Sequence, residues 1–439
     1  MKISSNNIRK EIGKSILADG MNPIIDLEKS HGSWLVDARD GKQYLDLFSM
    51  FASMPVGYNH PYMIENKDRL LSSAINKPTN SDVYSEEMAI FTATMKKIAQ
   101  PDYLPYSFFV EGGALGVENA LKAAFDWKVR KNLSKGNGEK GSKILHYRDC
   151  FHGRTGYTMS LTHSPDKRKT MYYPKFDWPR IDNPSISFPL SNDKLVEIEK
   201  KERDSIDQIK NALMKNPNDI AGLIIEPIQG EGGDNHFRDE YFAKLRELAN
   251  ENEFLLIYDE VQTGVGITGK MWAHQNHEFD SLPDIIAFGK KTQVCGVFAG
   301  QIFDEVEGNV FQESSRINST WGGSLVDMVR FTMYLEIIQN ENLIDMARQN
   351  GLLLQEKLLS LESSLNGLVS NSRNKGLFGA FDLPSTDLRD RAIKHIEAEG
   401  VLMLGSGTKT VRFRPHLNIS PKEIDQGFEM IQNALKNLS

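Results

Sequence analysis

Short runs of consecutive apolar residues alternate along the chain with longer amphipathic stretches. Five runs read as strands: Ser107–Val110, Ile144–Tyr147, Leu223–Ile225, Phe254–Tyr258 and Asp284–Phe288, each bounded by polar or turn residues. Runs that are apolar at successive positions suit strands buried on both faces, and such strands belong to a mainly parallel sheet. Between them, Val117, Ala120, Leu121, Ala124 and Phe125 follow the spacing of one helix face. The alternation predicts an α/β domain with helices on both sides of its sheet. A helix from about Leu325 to Ile338 leads out of it, and a smaller domain follows. There, Ser420-Pro421-Lys422-Glu423 has the form of a capping box with proline at the first helical position, and Ile424, Phe428, Ile431 and Leu435 continue it as an apolar stripe. Lys131–Lys143 is polar and glycine-containing and reads as a surface loop. No internal repeat is visible.

Composition narrows the class. Of 439 residues, 40% are apolar and 25% charged, enough to bury a large core and unlike a disordered or collagen-like chain. Lys and Arg number 52 against 59 Asp and Glu, a net charge of −7, which disfavours non-specific binding to nucleic acid or to acidic membranes. Two cysteines, Cys150 and Cys295, make no disulfide framework and suit a reducing compartment. The N-terminus lacks the apolar stretch of a signal peptide, and no apolar run is long enough to span a bilayer, so the expected location is the cytoplasm.

Two glycine fingerprints overlap in Gly264-Val-Gly-Ile-Thr-Gly269-Lys270. The phosphate-loop form requires Ser or Thr after the lysine, where this chain has Met271. The dinucleotide form should leave a strand directly, yet Asp259–Thr263 intervene. A glycine-rich surface loop is the simpler expectation, with nucleotide binding the alternative of another class. His274 and His277 lack a zinc-protease glutamate pattern and the cysteines lack C-x-x-C spacing, so no metal site is expected.

The strand ends carry more chemistry. Asp259 follows one predicted strand, Lys290 another and Glu226 a third, while Gly112-Gly113-Ala114 stand between a strand and the Val117 helix. Ligands of open α/β sheets bind outside the carboxyl ends of the strands, and a helix N-terminus favours a phosphate. An acid, a lysine and a phosphate-ready helix start are the parts that a pyridoxal phosphate enzyme needs.

Longer segments make the assignment specific. IIEPIQGEGG from Ile224, LLIYDEVQTGVGITGK from Leu255 and PDIIAFGK ending at Lys290 resemble the fold-type I, class III (ω-) aminotransferases, and the likeness runs from about Trp34 to Leu435. NKPTNSDVYS from Asn76, FFVEGGALGVENALKAAFDWK from Phe108, PKFDWPRIDNP from Pro174, FGKKTQVCG from Phe288 and STWGGSLVDMVR from Ser319 resemble the lysine branch of that family. The usual serine-glycine-threonine phosphate turn is replaced by Gly112-Gly113-Ala114, so phosphate binding would rest on backbone N–H groups.

The resemblance implies a large, mainly parallel-sheet domain over residues 60–325 and a smaller α+β domain from residues 1–59 plus 326–439. It implies pyridoxal 5′-phosphate, with Lys290 as the Schiff-base lysine and proton shuttle; the adjacent Lys291 is the competing assignment. Asp259 would pair with the pyridine nitrogen, Gln262 with the 3′ oxygen, and Phe151 and Val261 would sandwich the ring. Glu226 would orient this cluster. Thr320 would reach the phosphate of a neighbouring subunit, making a homodimer with shared sites. The implied reaction moves the ε-amino group of L-lysine to 2-oxoglutarate, giving 2-aminoadipate 6-semialdehyde and L-glutamate; ornithine or 4-aminobutyrate is the alternative donor. Arg154 would hold the α-carboxylate of lysine or the distal carboxylate of the keto acid. Arg412 would hold the α-carboxylate of glutamate and be masked by Glu231 during the lysine half-reaction. Arg414 points the same way by strand alternation, and Pro415-His416 stand where the family has two prolines.

Overall fold

The computed structural model describes residues 2–365 and 367–438; Met1 and Ser439, the outer ends of the expected smaller domain, lie outside the described residues. Two short strands, β1 (Trp34–Val36) and β2 (Gln43–Asp46), come first. Seven more build the central sheet: β3 (Tyr106–Val110), β4 (Lys143–Tyr147), β5 (Arg180–Ile181), β6 (Ile220–Ile225), β7 (Leu255–Asp259), β8 (Ile285–Phe288) and β9 (Cys295–Ala299). Their order is β3-β9-β8-β7-β6-β4-β5. Strands β4 to β8 are mutually parallel, while β9 runs antiparallel to both β8 and β3. Only residues 289–294 separate β8 from β9, too few for a crossover helix, so the chain has to return antiparallel.

All five expected strands are present, with ends shifted by one to three residues. Two more, β5 and β9, complete the sheet. The Gly113–Ser134 helix runs past Lys131, so the polar loop is shorter than expected and begins at Lys135.

The sheet is buried on both faces because alternate residues of its strands serve two cores. Leu223, Ile225, Leu256, Tyr258, Ile286 and Phe288 join one with Phe242 and Leu245 of the Asp239–Asn252 helix. Ile224, Leu255, Ile257, Ile285 and Ala287 join the other with Val117, Ala120, Leu121 and Ala124. A strand's side chains alternate between faces, so apolar residues at every position are what two covering layers of helix demand.

A four-stranded antiparallel sheet is formed by β10 (Ser370–Lys375), β11 (Phe378–Asp382), β13 (Leu404–Ser406) and β14 (Thr410–Phe413). Its neighbour β12 (Val401–Leu402) instead pairs in parallel with β2, joining the two ends of the chain. The last helix, Pro421–Lys436, closes its first turn with the capping box: Glu423 N–H donates to Ser420 Oγ at 3.2 Å and Ser420 N–H to Glu423 Oε2 at 2.8 Å. Ile424, Phe428, Ile431 and Leu435 are all buried beneath it.

Candidate active site

The parallel strands all end at one edge of the sheet, and a cavity of about 390 Å³ opens there. It is lined by Gly113, Ala114, Phe151, Arg154, Glu226, Glu231, Asp259, Val261, Gln262, Lys290 and Arg412, residues spread over 300 positions of sequence, and also by Phe51, His152 and Lys169.

Asp259 ends β7 and is 4% exposed. Its Oδ1 accepts the Val261 N–H at 3.0 Å, and its Oδ2 accepts from His152 Nδ1 at 2.8 Å. Burial alone would lower the imidazole's hold on a proton; the Cys150 sulfur and the Asp259 carboxylate outweigh it and raise that hold. The pair therefore fixes the orientation of a buried carboxylate at the cavity wall. Glu226, at the end of β6, takes the Phe151 N–H on Oε1 and the Gly230 N–H on Oε2, both at 2.9 Å. Burial pushes its carboxyl up to about 7. This clamp joins the loop after β4 to the loop after β6 and holds Phe151 over the cavity.

The two lysines that sequence left in competition separate cleanly. Lys290 sits in the left-handed region at φ 55° and lines the cavity, with Nζ donating to Phe51 O at 3.1 Å. Burial, then the charges of Arg412 and Arg414, bring its ammonium down to about 8. Lys291 is 1% exposed and turns away, its Nζ bonded to Gln262 O at 2.7 Å. The Gln293 amide pins the turn between them, donating to Ser53 O at 2.7 Å and Lys290 O at 3.2 Å.

Phe51 is presented by an unusual backbone. Ser49, Met50, Phe51 and Ala52 are all left-handed, with φ from 40° to 60°, and none is glycine. Each costs roughly 1–2 kcal/mol. Asp46 offsets part of this by accepting the Phe48 and Ser49 N–H groups at 2.9 and 2.7 Å, and Ser49 Oγ–H donates to Arg414 O at 2.5 Å. Strain of this kind concentrates at functional sites.

At the other wall the Gly113–Ser134 helix begins after Gly112, whose φ of 102° suits glycine, with no side-chain cap. The first N–H to close the helix is that of Gly116, on Gly112 O at 3.0 Å. The N–H groups of Gly113, Ala114 and Leu115 thus have no partner within the helix, which is an anion cradle made of backbone alone. Gly153 closes over it: a Cβ there would stand 2.4 Å from that of Ala114.

Of the arginines, Arg412 lies in β14 with its side chain 5% exposed. Its Nη2 stands 3.6 Å from Glu231 Oε2, and its Nε and Nη1 have no partner among the described residues. Arg414 is committed elsewhere. Nη2 bonds Asp234 at 2.7 Å, Nε and Nη2 bond Gln262 Oε1 at 3.0 and 2.9 Å, and the guanidinium lies 3.3 Å from the Phe378 ring centre. With the Gln262 oxygen taken, its amide N–H groups remain to donate. Arg154 is exposed and faces both the main cavity and an adjoining apolar recess beside Met159, Tyr173 and Phe176.

Thr320 does not reach this cavity; it is exposed, and its carbonyl accepts Ser81 Oγ–H at 3.2 Å. The Gly264–Lys270 stretch is a buried loop rather than a surface one: its glycines pack against Trp272, Leu417 and Arg348, and it opens no helix, which removes the nucleotide reading. His274 is buried against Glu260, Nδ1 to Oε1 at 2.8 Å, and no metal-binding cluster occurs among the described residues. Sequence reasoning missed His152, Phe51 and Lys169. His152 adjoins Phe151 and could have been tested as a partner for a buried acid; Phe51 and Lys169 lie on irregular segments that no periodicity marks.

These features fit pyridoxal 5′-phosphate: a backbone cradle for the phosphate, a buried anion for the ring nitrogen, amide donors for the ring oxygen, and an amine of lowered basicity. Comparison with known proteins agrees. A sequence profile for aminotransferase class III matches residues 16–435. The chain is 48% identical over 434 residues to the L-lysine-epsilon aminotransferase of Mycobacterium tuberculosis, covering 98% of this chain and 95% of that protein. It is 45% identical over 435 residues to the L-lysine-epsilon aminotransferase of Amycolatopsis lactamdurans, covering 98% and 96%. The solved lysine aminotransferase from M. tuberculosis superposes with a TM-score of 0.97 at 47% identity over the full length of both chains. With a match across nearly its whole length, the chain belongs to the class III aminotransferases.

Proposed function

We propose that this protein is an L-lysine 6-transaminase, which moves the ε-amino group of L-lysine to 2-oxoglutarate and yields 2-aminoadipate 6-semialdehyde and L-glutamate. The observation that carries the reading is the pair of unlike arginines on one cavity: Arg154 exposed at its mouth, Arg412 buried and faced by Glu231. A donor with one carboxylate and a distant amine needs only Arg154, whereas a dicarboxylate needs both. The names of the relatives support lysine as that donor.

Pyridoxal phosphate supplies, when bound, an aldehyde carbon that exchanges amines and a ring that draws electrons from the neighbouring C–H bond. The protein's part is positional and protonic. Gly112, Gly113 and Ala114 would cradle the phosphate, and Phe151 and Val261 would enclose the ring. Asp259, held in place by His152 and the Val261 N–H, would pair with the ring nitrogen. Gln262 would donate to the ring oxygen. Lys290 would hold the cofactor and supply the amine that moves the proton, a task suited to an amine whose ammonium is brought down to about 8.

The same reading includes a homodimer in which Thr320 serves the partner's phosphate. Leu71, Ile75, Val83 and Tyr84 are apolar and exposed, and such a contact would cover residues of this kind. A monomer by sedimentation, with full activity, would overturn it. We place the division between the larger and smaller domains near residues 60 and 325. The proposed location is the cytoplasm, in keeping with two free, buried cysteines; no described helix is long and apolar enough to cross a membrane.

The test is the cofactor absorbance of the holoenzyme in a single turnover with L-lysine, ornithine and 4-aminobutyrate. L-lysine should convert the chromophore fastest, and a faster response to either other donor would overturn the substrate assignment.

A further inference from the structure

Glu231 has a second cation. Its Oε2 faces Arg412, while its Oε1 is bonded tightly by the Lys169 ammonium. Lys169 belongs to a short turn, Lys167–Lys169, whose start is capped by Asp166 accepting the Arg168 N–H at 3.2 Å. Its side chain is 29% exposed, and its Nζ lies 5.9 Å from the Phe151 ring centre at the cavity wall. The two contacts of Glu231 are unequal: the lysine contact is a direct hydrogen bond, whereas the arginine contact is 3.6 Å and leaves two buried guanidinium nitrogens without a partner among the described residues.

We propose that Lys169 is a specificity-determining residue that competes with Arg412 for Glu231 and so keeps the arginine available to a dicarboxylate. The proposal rests on the reading above that Arg412 takes the α-carboxylate of glutamate. For a dicarboxylate to reach Arg412, Glu231 has to release it. Glu231 is part-buried, its side chain 22% exposed, so a carboxylate stripped there of its cation partner is incompletely solvated, and that cost would fall on the incoming ligand. With Lys169 in place the released carboxylate keeps a partner, so opening the gate strands no charge. Without it, Glu231 has Arg412 alone and closes onto it. A donor with one carboxylate does not use Arg412 and is indifferent to this competition.

The probes are glutarate, a dicarboxylate with no amine or ketone to react, and pentanoate, its one-carboxylate counterpart, titrated calorimetrically into the holoenzyme. Lys169→Met should weaken glutarate about tenfold and pentanoate by less than about twofold. Lys169→Arg should restore most of the glutarate affinity. In single turnovers the Lys169→Met ratio of lysine to glutamate reactivity should rise about tenfold. Glu231→Ala removes the carboxylate over which the cations compete, so adding Lys169→Met to it should change glutarate binding by less than about twofold. Equal weakening of glutarate and pentanoate would overturn the proposal, as would the full tenfold loss persisting in the Glu231→Ala background, because either shows Lys169 attracting the anion itself. A wild-type chromophore indifferent to L-lysine would overturn the donor assignment instead, and the glutarate and pentanoate titrations would still report on the gate.

Discussion

The two ends of the cavity are built on opposite principles. Around Asp259, both carboxylate oxygens are engaged, and both Glu226 oxygens take backbone N–H groups. Around Arg412, one long contact to Glu231 stands beside two guanidinium nitrogens without a partner among the described residues. Carboxylates with both oxygens engaged are held rigidly and are costly to disturb, even though His152 Nε2 behind Asp259 has no partner among the described residues, whereas a guanidinium with one long contact is ready to exchange partners. The first end suits chemistry that is the same in every half-reaction. The second suits the recognition of two substrates that differ by one carboxylate. Mutations at the fixed end should therefore damage every substrate alike, and mutations at the exchangeable end should change the ratio between them.

The sharpest break at the fixed end is Lys290→Ala. Loss of the amine that holds the cofactor and moves the proton should reduce transamination by at least about 100-fold with lysine and with glutamate. Lys291→Ala removes one buried hydrogen bond, worth about 1 kcal/mol, and should leave turnover within about tenfold of wild type. Borohydride reduction followed by peptide mapping should place the cofactor adduct on Lys290; an adduct on Lys291 overturns the assignment.

Asp259→Asn should come next. An amide cannot balance a protonated ring nitrogen, so turnover should fall by roughly 100-fold for both donors. Folding should suffer far less, because His152 can give up its proton once the carboxylate is gone. Thermal unfolding and single-turnover rates on the same preparation separate the two effects. A variant that turns over normally removes Asp259 from its role.

At the exchangeable end, Glu231→Ala should leave Arg412 uncovered and shift selectivity toward glutamate. A change of roughly 30-fold in the lysine-to-glutamate ratio corresponds to about 2 kcal/mol. An unchanged ratio would move donor selectivity to some other part of the cavity and erase the contrast between the two ends.

The contrast also explains how much could be read from sequence. Strand ends are marked by apolar runs and by the acid or lysine that follows them, so Glu226, Asp259 and Lys290 could be placed on one edge before any coordinates. The stripe from Val117 to Ala124 and the Ser420 capping box are local patterns that tertiary contacts did not override. The antiparallel strand β9 is hidden because only the short turn over residues 289–294 separates it from β8, with no helix between to announce it, and because Gly296 interrupts its apolar run. The left-handed turn from Ser49 to Ala52 is illegible for a physical reason: with no glycine in it, no residue type marks that conformation, and it is held by its own backbone hydrogen bonds together with Asp46, the Arg414 carbonyl and Lys290, which are distant in sequence or unmarked by any pattern. Resemblance supplied Arg412 and Glu231 as a pair; the third member, Lys169, comes from a loop whose sequence gives no hint of where its ammonium goes.

The smallest predicted effect tests whether Lys290 bridges the two ends. Its ammonium is brought down to about 8 by burial, with Arg412 and Arg414 adding repulsion and with Glu231 and Asp259 opposing. The lowered value means that the folded protein favours the neutral amine, which gains population as pH rises through 8, where an ordinary lysine remains charged. In the cofactor-free protein the rate of Lys290 modification by a soluble amine reagent should therefore rise about tenfold between pH 7 and pH 9, following the neutral fraction. Arg412→Met removes one of the repelling charges, so the rise should move to higher pH, by less than the shift that burial causes. Glu231→Ala removes an attracting charge and should move it lower. Peptide-resolved labelling across the pH series reads all three proteins. Opposite displacements in the two variants would show that the exchangeable end tunes the amine at the fixed end; a midpoint that stays in place in both would show that burial alone sets it and that the two ends work independently.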